Sequence, residues 1–232
     1  MPVVVFASPK GGAGKTTAAV ILASEIASKG ASVAVIDGDP RRRVTRWAGK
    51  GRVPDHLTVV PTVSEETIID EIEQHAQSAP FVIVDLEGTA SLMVAYAISR
   101  ADLVIIPSQG SQMDAEDAVD AIRLVRKQER AFGRKIPYAV LLTKTSPAIR
   151  PRTLRHILAE LDKAEIQRLK TELTERDAFK AIFSFGGTLE GLDRSQVSGV
   201  KDAIVNARAF VAEVIERLRA GQGISDGAMA AA

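Results

Sequence analysis

Short apolar runs alternate with amphipathic segments along most of the chain. The runs 3–7, 32–37, 57–60, 81–85, 103–107 and 138–143 are nearly continuous in Val, Ile and Leu. That pattern predicts strands covered on both faces of a parallel sheet. Between them, helices are expected near residues 15–29, 64–77, 91–99, 114–132 and 151–162. In the fourth, Ala118, Ile122 and Val125 recur at helical spacing, with Asp114 as the expected N-cap. The pattern thins over 166–185, where a short edge strand and then a helix from about Arg176 are expected. A last amphipathic helix runs from about Ser195 to Arg219, and the small, unpatterned 221–232 reads as a disordered tail. The fold class is therefore α/β: a doubly wound, mainly parallel sheet with helices on both faces, in a single domain over residues 1–220. Ligands are expected at the carboxyl ends of its strands.

The first strand feeds the sequence SPKGGAGKTT, residues 8–17, which opens the first helix. A glycine-rich turn between strand and helix gathers backbone N–H groups at one point, where the helix dipole also favours anions. Gly11, Gly12, Ala13, Gly14, Lys15, Thr16 and Thr17 are the candidate phosphate cradle. Lys15 can reach the β- and γ-phosphates, and the Thr16 hydroxyl can sit on Mg²⁺. The loop departs from the usual phosphate-loop pattern, since Pro9 stands where the first glycine belongs and a second lysine, Lys10, precedes Lys15 by five residues. The segment implies binding of a nucleoside triphosphate.

Two strand ends add acids. The second ends in VIDGDPRRR, placing Asp37 and Asp39 beside the loop, where a carboxylate can hold a metal's water shell or orient an attacking water. The fourth, FVIVD, ends in Asp85, positioned to support Mg²⁺ through water.

The deviant loop, the D-x-D-P strand end and the apolar strand ending in Asp resemble the ParA/MinD group of P-loop ATPases. Within that group the chain is similar to compact ParA-type partition proteins that lack an N-terminal helix-turn-helix, the ParF-like and VirC-type proteins. SPKGGAGKTTA, VIDGDPRRRVTRWA, IVDLEGTASL, DLVIIPSQGSQMDAEDA and TERDAF carry the resemblance, which covers about residues 2 to 215. It implies that Lys10 reaches across a dimer interface to the partner's nucleotide. It implies that Asp39 positions the hydrolytic water, that Asp37 and Asp85 support the metal, and that Thr143 and Lys144 lie at the adenine. The chain departs from the family at Arg41, where Gln is common, and at Leu86-Glu87-Gly88, where a proline pair is common.

Composition and charge narrow the partners. The 232 residues are 46% hydrophobic and 25% charged, with no cysteine and no apolar run near the length of a membrane helix. The opening residues do not read as a signal peptide, and the expectation is a cytoplasmic, nucleoid-associated protein without membrane attachment. Zero cysteines exclude a Cys-held iron–sulfur cluster, disulfides and thiol catalysis. Net charge is +1, yet residues 121–170 hold thirteen Lys/Arg against four acids, a net +9. Such a stretch reads either as solvated helix faces or as a polyanion-binding surface. Arg150, Arg152 and Arg155 are the candidate DNA contacts, with Lys201 and Arg208 on the last helix as the alternative.

Trp47 reads as core, as do Phe179, Phe183 and Phe185. His56, His75 and His156 have no ligand spacing and read as surface or packing residues. The sequence-level function is an ATPase that dimerises with ATP and Mg²⁺ and binds DNA without sequence preference in that state. It would segregate or position plasmid or transferred DNA with a small ribbon-helix-helix type, centromere-binding partner. The alternatives are a MinD-like membrane-cycling ATPase, which needs a basic amphipathic C-terminal segment that 221–232 lacks, and a conjugative-transfer accessory ATPase.

Overall fold

The computed structural model describes residues 1–61, 63–88 and 91–222. The first half runs β1 (Val3–Phe6), α1 (Lys15–Ala27), β2 (Val33–Gly38), α2 (Arg43–Ala48), β3 (Leu57–Val60), α3 (Ile68–Ser78) and β4 (Phe81–Leu86). The second runs α4 (Leu92–Arg100), β5 (Leu103–Ser108), α5 (Gln112–Phe132), β6 (Tyr138–Thr145), α6 (Arg152–Lys163), β7 (Leu173–Thr174), α7 (Asp177–Phe185) and α8 (Val200–Gln222). The strands form one sheet in the order β3-β2-β4-β1-β5-β6-β7, and every pair is parallel. β1 lies at its centre, so the loop that follows β1 emerges at the middle of the carboxyl edge.

Strand alternation splits the core cleanly. Val4 and Phe6 point with Val35 and Ile105 into a layer shared with α1, α7 and α8. Val3 and Val5 point with Ile36 and Val84 into the layer under α3, α4 and α5. Both faces are covered, which is why the strands show no polar alternation. Helix α1 is apolar on all sides because it is sandwiched: Val20, Ile21 and Leu22 are fully buried between sheet and α8, each worth roughly 1.5–3 kcal/mol of burial. Helix α6 sits at the edge, where Leu154 and Leu158 cover Leu142.

Four details differ from the sequence reading. Helix α2 is unexpected, because six residues containing three helix-neutral or charged positions show no period. Helix α5 is capped by Ser111: the Ser111 Oγ accepts from the Asp114 N–H, and the Asp114 carboxylate accepts from the Ser111 N–H in a reciprocal capping box. Helix α8 starts at Val200 because Asp193 accepts from the N–H and Oγ of Ser195 and holds that segment as a turn. It extends to Gln222, so residues 221 and 222 of the expected tail are helical, and residues 223–232 lie outside those described. Phe179 is core and Phe183 packs against it, but Phe185 is exposed.

Trp47 is 1% exposed, and its indole N–H donates to the Gly187 carbonyl at 2.9 Å. It thus ties α2 to the turn after α7. Trp47→Phe removes the donor and part of the packed volume, and should cost about 2 kcal/mol in urea unfolding. An unchanged midpoint would mean that α2 is not anchored through this side chain.

Candidate functional site

The phosphate loop turns with Gly12 and Gly14 at φ 81° and 99°. Gly14 ends the loop as the residue before α1. A side chain there would be strained by that φ and crowded by Thr143. Gly88, after β4, crosses so near the loop that a Cβ would stand 2.8 Å from the Gly11 nitrogen. That contact joins the Leu-Glu-Gly departure to the loop and explains why the position is glycine. Thr89 and Ala90 of the same motif lie outside the described residues.

Lys15 is 6% exposed at the first residue of α1. Its ammonium donates to the carbonyls of Ser8 (3.1 Å) and Lys10 (3.0 Å), leaving the third N–H for another acceptor. Burial lowers its pKa from the ordinary lysine value, against the pull of Asp85. Together Gly11, Gly12, Gly14, Lys15 and Thr16 line a cavity of about 370 Å³ that also takes in Asp39 and Glu87. Two cations share the wall: Arg41, which the sequence marks only as a departure from the family pattern, and Arg43, which it does not single out.

The three acids differ. Asp37 and Asp85 are register neighbours on β2 and β4. Asp37 Oδ2 accepts from the Thr45 N–H at 2.8 Å and the Thr45 hydroxyl at 2.7 Å, satisfying the N-terminus of α2. Its Oδ1 is buried without a partner, as are both oxygens of Asp85. Asp39 Oδ1 accepts from the Arg41 N–H at 2.8 Å, and its other oxygen faces Arg43 at 3.6 Å. Burial pushes the Asp85 carboxyl up to about 7; Thr16 and Lys15 pull it down, and Asp37 pushes it further up. Three buried, unpartnered carboxylate oxygens beside the Thr16 hydroxyl suit a hydrated divalent cation. Among the described residues no group of three His, Cys, Asp or Glu could ligate one directly. The set therefore fits Mg²⁺ held by Thr16 and by phosphate oxygens, with the carboxylates reached through water.

Lys10 lies within its own chain. Its ammonium donates to Asp114 Oδ1 at 2.6 Å, and that hydrogen bond raises its pKa above the ordinary lysine value. Thr143 and Lys144, given to adenine by the family resemblance, hydrogen-bond the loop. Thr143 Oγ1 donates to the Ala13 carbonyl at 2.7 Å, and Lys144 Nζ donates to the Gly12 carbonyl at 2.9 Å. Both also line a narrow cleft of about 60 Å³ with Leu173, Thr174, Arg176 and Phe179. Sequence reasoning does not find this slot, although TERDAF contains four of its walls, Thr174, Glu175, Arg176 and Phe179.

The basic stretch is sorted by the fold. Arg134 donates to the carbonyls of Ser99 and Ala101, Arg168 pairs with Asp162, and Arg150 pairs with Glu172 at 2.9 Å. Arg152 and Arg155 are exposed in the first turn of α6 without a partner among the described residues. The alternative Arg208 is held by Glu25 and Glu190.

The raised pKa of Asp85 has a sign. The unfolded carboxyl ionises near 3.8 and the folded one near 7, so folding stability falls as pH rises through that window. Without ligand, Asp85→Asn should nearly match the wild type at pH 4 and exceed it by roughly 4 kcal/mol at pH 8 in urea unfolding. Equal stability at both pH values would show that the carboxylate is solvated.

Comparison with known proteins places this geometry. The family model described as VirC1 protein matches residues 1–219. Protein ParA of Rhizobium radiobacter is 44% identical over 218 residues, covering 94% of this chain and 98% of its own. Protein virC1 of Rhizobium rhizogenes is 30% identical over 187 residues, covering 78% and 80%. Among solved structures, an ATP complex of a Cyanothece McdA variant superposes with a TM-score of 0.74 at 17% identity, over 97% of this chain and 98% of that one, and shares the fold. The chain belongs to the VirC1 family and is related to Protein ParA.

Proposed function

We propose that the chain is a slow ATPase that positions or segregates DNA, dimerising around ATP and gripping DNA in that state. The observation that carries the nucleotide reading is Lys15: a buried ammonium with two N–H groups spent on loop carbonyls and one left over, on the wall of the phosphate cavity. Desolvation makes its charge interact more strongly with an incoming anion than it would in water. Loop N–H groups and the N-terminus of α1 would share the phosphate charge. A bound Mg²⁺ would neutralise the phosphates further, held by Thr16 and supported through water by Asp37 and Asp85. Asp39, on the wall of that cavity and held by the Arg41 N–H and by Arg43 of α2, would orient the attacking water. The apolar slot of Leu173 and Phe179, adjoining Gly14 and Thr17, suits the flat face of a base.

The positioning role is supported by the similarity to Protein ParA, and the solved ATP complex of the McdA variant supports the choice of nucleotide. Lys10 would leave Asp114 to serve the nucleotide of a second copy. The partner would be a small centromere-binding protein of the ribbon-helix-helix type. For DNA, Arg152 and Arg155 stand in the first turn of α6, which holds no acid. Cations there oppose the helix dipole, at roughly 0.3–1 kcal/mol each. The same helix end offers free N–H groups to a phosphate, so an incoming phosphate relieves the conflict. Dimerisation would double the patch and raise affinity through multivalency. No described helix is long and apolar enough to cross a membrane.

Two measurements test this reading. Lys15→Ala should weaken binding of a fluorescent ATP analogue by at least about tenfold, whereas Asp39→Ala should bind within about twofold and lose roughly 10²-fold or more of phosphate release. Full turnover by the Asp39 variant would remove that residue from the chemistry.

DNA binding should need ATP, ignore sequence, and weaken with salt by roughly 0.9 log units per phosphate neutralised. Arg152→Ala and Arg155→Ala should each reduce the salt slope by about one per protomer while sparing ATPase activity. Arg150→Ala should do less, because Glu172 already holds it. Wild-type binding by the Arg152/Arg155 double variant across several salt concentrations would move the DNA surface elsewhere.

A further inference from the structure

Three consecutive carbonyls of the phosphate loop are tied back to the protein. The Gly12 carbonyl accepts from Gln109 Nε2 at 2.8 Å and from Lys144 Nζ at 2.9 Å. The Ala13 carbonyl accepts from Thr143 Oγ1 at 2.7 Å, and the Gly14 carbonyl accepts from the Ala18 N–H at 3.0 Å. In a planar trans peptide the C=O and the following N–H point in opposite directions. Fixing these oxygens therefore fixes the N–H groups of Ala13, Gly14 and Lys15 on the other side. Such a row of aligned N–H groups is what an anion-binding nest consists of.

Thr143 and Lys144 were already candidates, whereas Gln109 was not. It follows β5 and lines a neighbouring cleft with Gly110, Ser111 and Asp114 rather than the phosphate cavity. Its amide thus reaches the loop from behind. We infer that Gln109 is a positioning residue: its amide, with the Lys144 ammonium, holds the Gly12 carbonyl so that the Ala13 N–H is set for a phosphate before nucleotide arrives. The inference rests on the nucleotide-binding reading of the same loop. Gly11, Gly12 and Gly14 leave the backbone many conformations, and ordering them at the moment of binding would subtract from affinity. A side-chain donor that orders them in advance removes that cost. Gln109 also belongs to the segment that carries Asp114, the acceptor of Lys10. The connection after β5 and the first turn of α5 therefore grip the loop at two points, through Gly12 and through Lys10.

The test compares ATP, ADP and AMP binding by competition against a fluorescent nucleotide; AMP lacks the β-phosphate that the loop would cradle. Gln109→Leu, which removes the donor, and Gln109→Glu, which sets a carboxylate against a carbonyl, should weaken ATP and ADP by roughly three- to tenfold and leave AMP unchanged. Gln109→Lys keeps a donor and should restore affinity. Because Gln109 and Lys144 share one acceptor, Gln109→Leu combined with Lys144→Met should lose more than the product of the two single losses. A merely structural role would lower the unfolding temperature and weaken all three nucleotides alike. Wild-type ATP affinity in both the Leu and Glu variants, or a strictly multiplicative double variant, overturns the inference. No nucleotide binding by the wild type would instead overturn the reading of the loop itself.

Discussion

The rest of the structure is arranged around one costly placement: an ammonium and a carboxylate taken out of water at the carboxyl end of an apolar sheet. Lys15 and Asp85 are both buried, and burial works against the charge of each, lowering one pKa and raising the other. A pair left this way gains less from mutual attraction than desolvation takes away. Folding supplies the difference from elsewhere, chiefly from the two apolar layers on either side of β1. The site is therefore built to be completed by a ligand that brings negative charge to Lys15 and positive charge to Asp85. A nucleotide with its divalent cation has that composition.

The same reasoning explains the position of α2. Its N-terminus needs acceptors for its free N–H groups, and Asp37 provides one from the end of β2. That ties the Asp39 turn between two fixed points, Asp37 before it and α2 after it. Trp47 then locks the far end of α2 to Gly187 beyond α7. Since α7 begins beside the slot that contains Phe179, that slot and the phosphate-loop cavity are joined through one short helix.

The sheet was legible because its strands are continuous apolar runs, and the loop was legible because its chemistry is local: glycine, lysine and threonine within ten residues. Asp37, Asp39 and Asp85 were legible by their places at strand ends. What could not be read depends on contacts between distant parts of the chain. Gln109 and Gly12 are 97 residues apart, and Lys144 and Gly12 are 132 apart; no periodicity brings them together. Helix α2 escaped because its sequence has no stripe and its cap is a side chain from another element. Asp114 was found as a helix-start residue, but its role as acceptor for Lys10 comes from the packing of α5 against the loop. The basic stretch misled in part, because charge counting cannot separate Arg134, which satisfies buried carbonyls, from Arg155, which faces solvent.

The contact between Lys10 and Asp114 bears on how such a protein could alternate between states. Asp114 is 4% exposed on its side chain, and a buried carboxylate abandoned by its only partner would be expensive. It has other partners: Oδ2 accepts from the N–H of Ser111 at 3.1 Å and from the Ser111 hydroxyl. Lys10 occupies Oδ1 alone. Its departure therefore leaves a carboxylate that still accepts two hydrogen bonds and still faces the start of α5, where the helix dipole favours it. On the other side, the Lys10 ammonium is partly exposed and passes into water with little penalty. The contact is thus strong in geometry and cheap to break, a combination that a simple salt bridge between two fully buried groups could not give. A lysine held this way stays out of its own cavity, where Lys15 already serves. It can be drawn off by any nearby group with more negative charge than one carboxylate, and the phosphates of a second copy's nucleotide meet that condition.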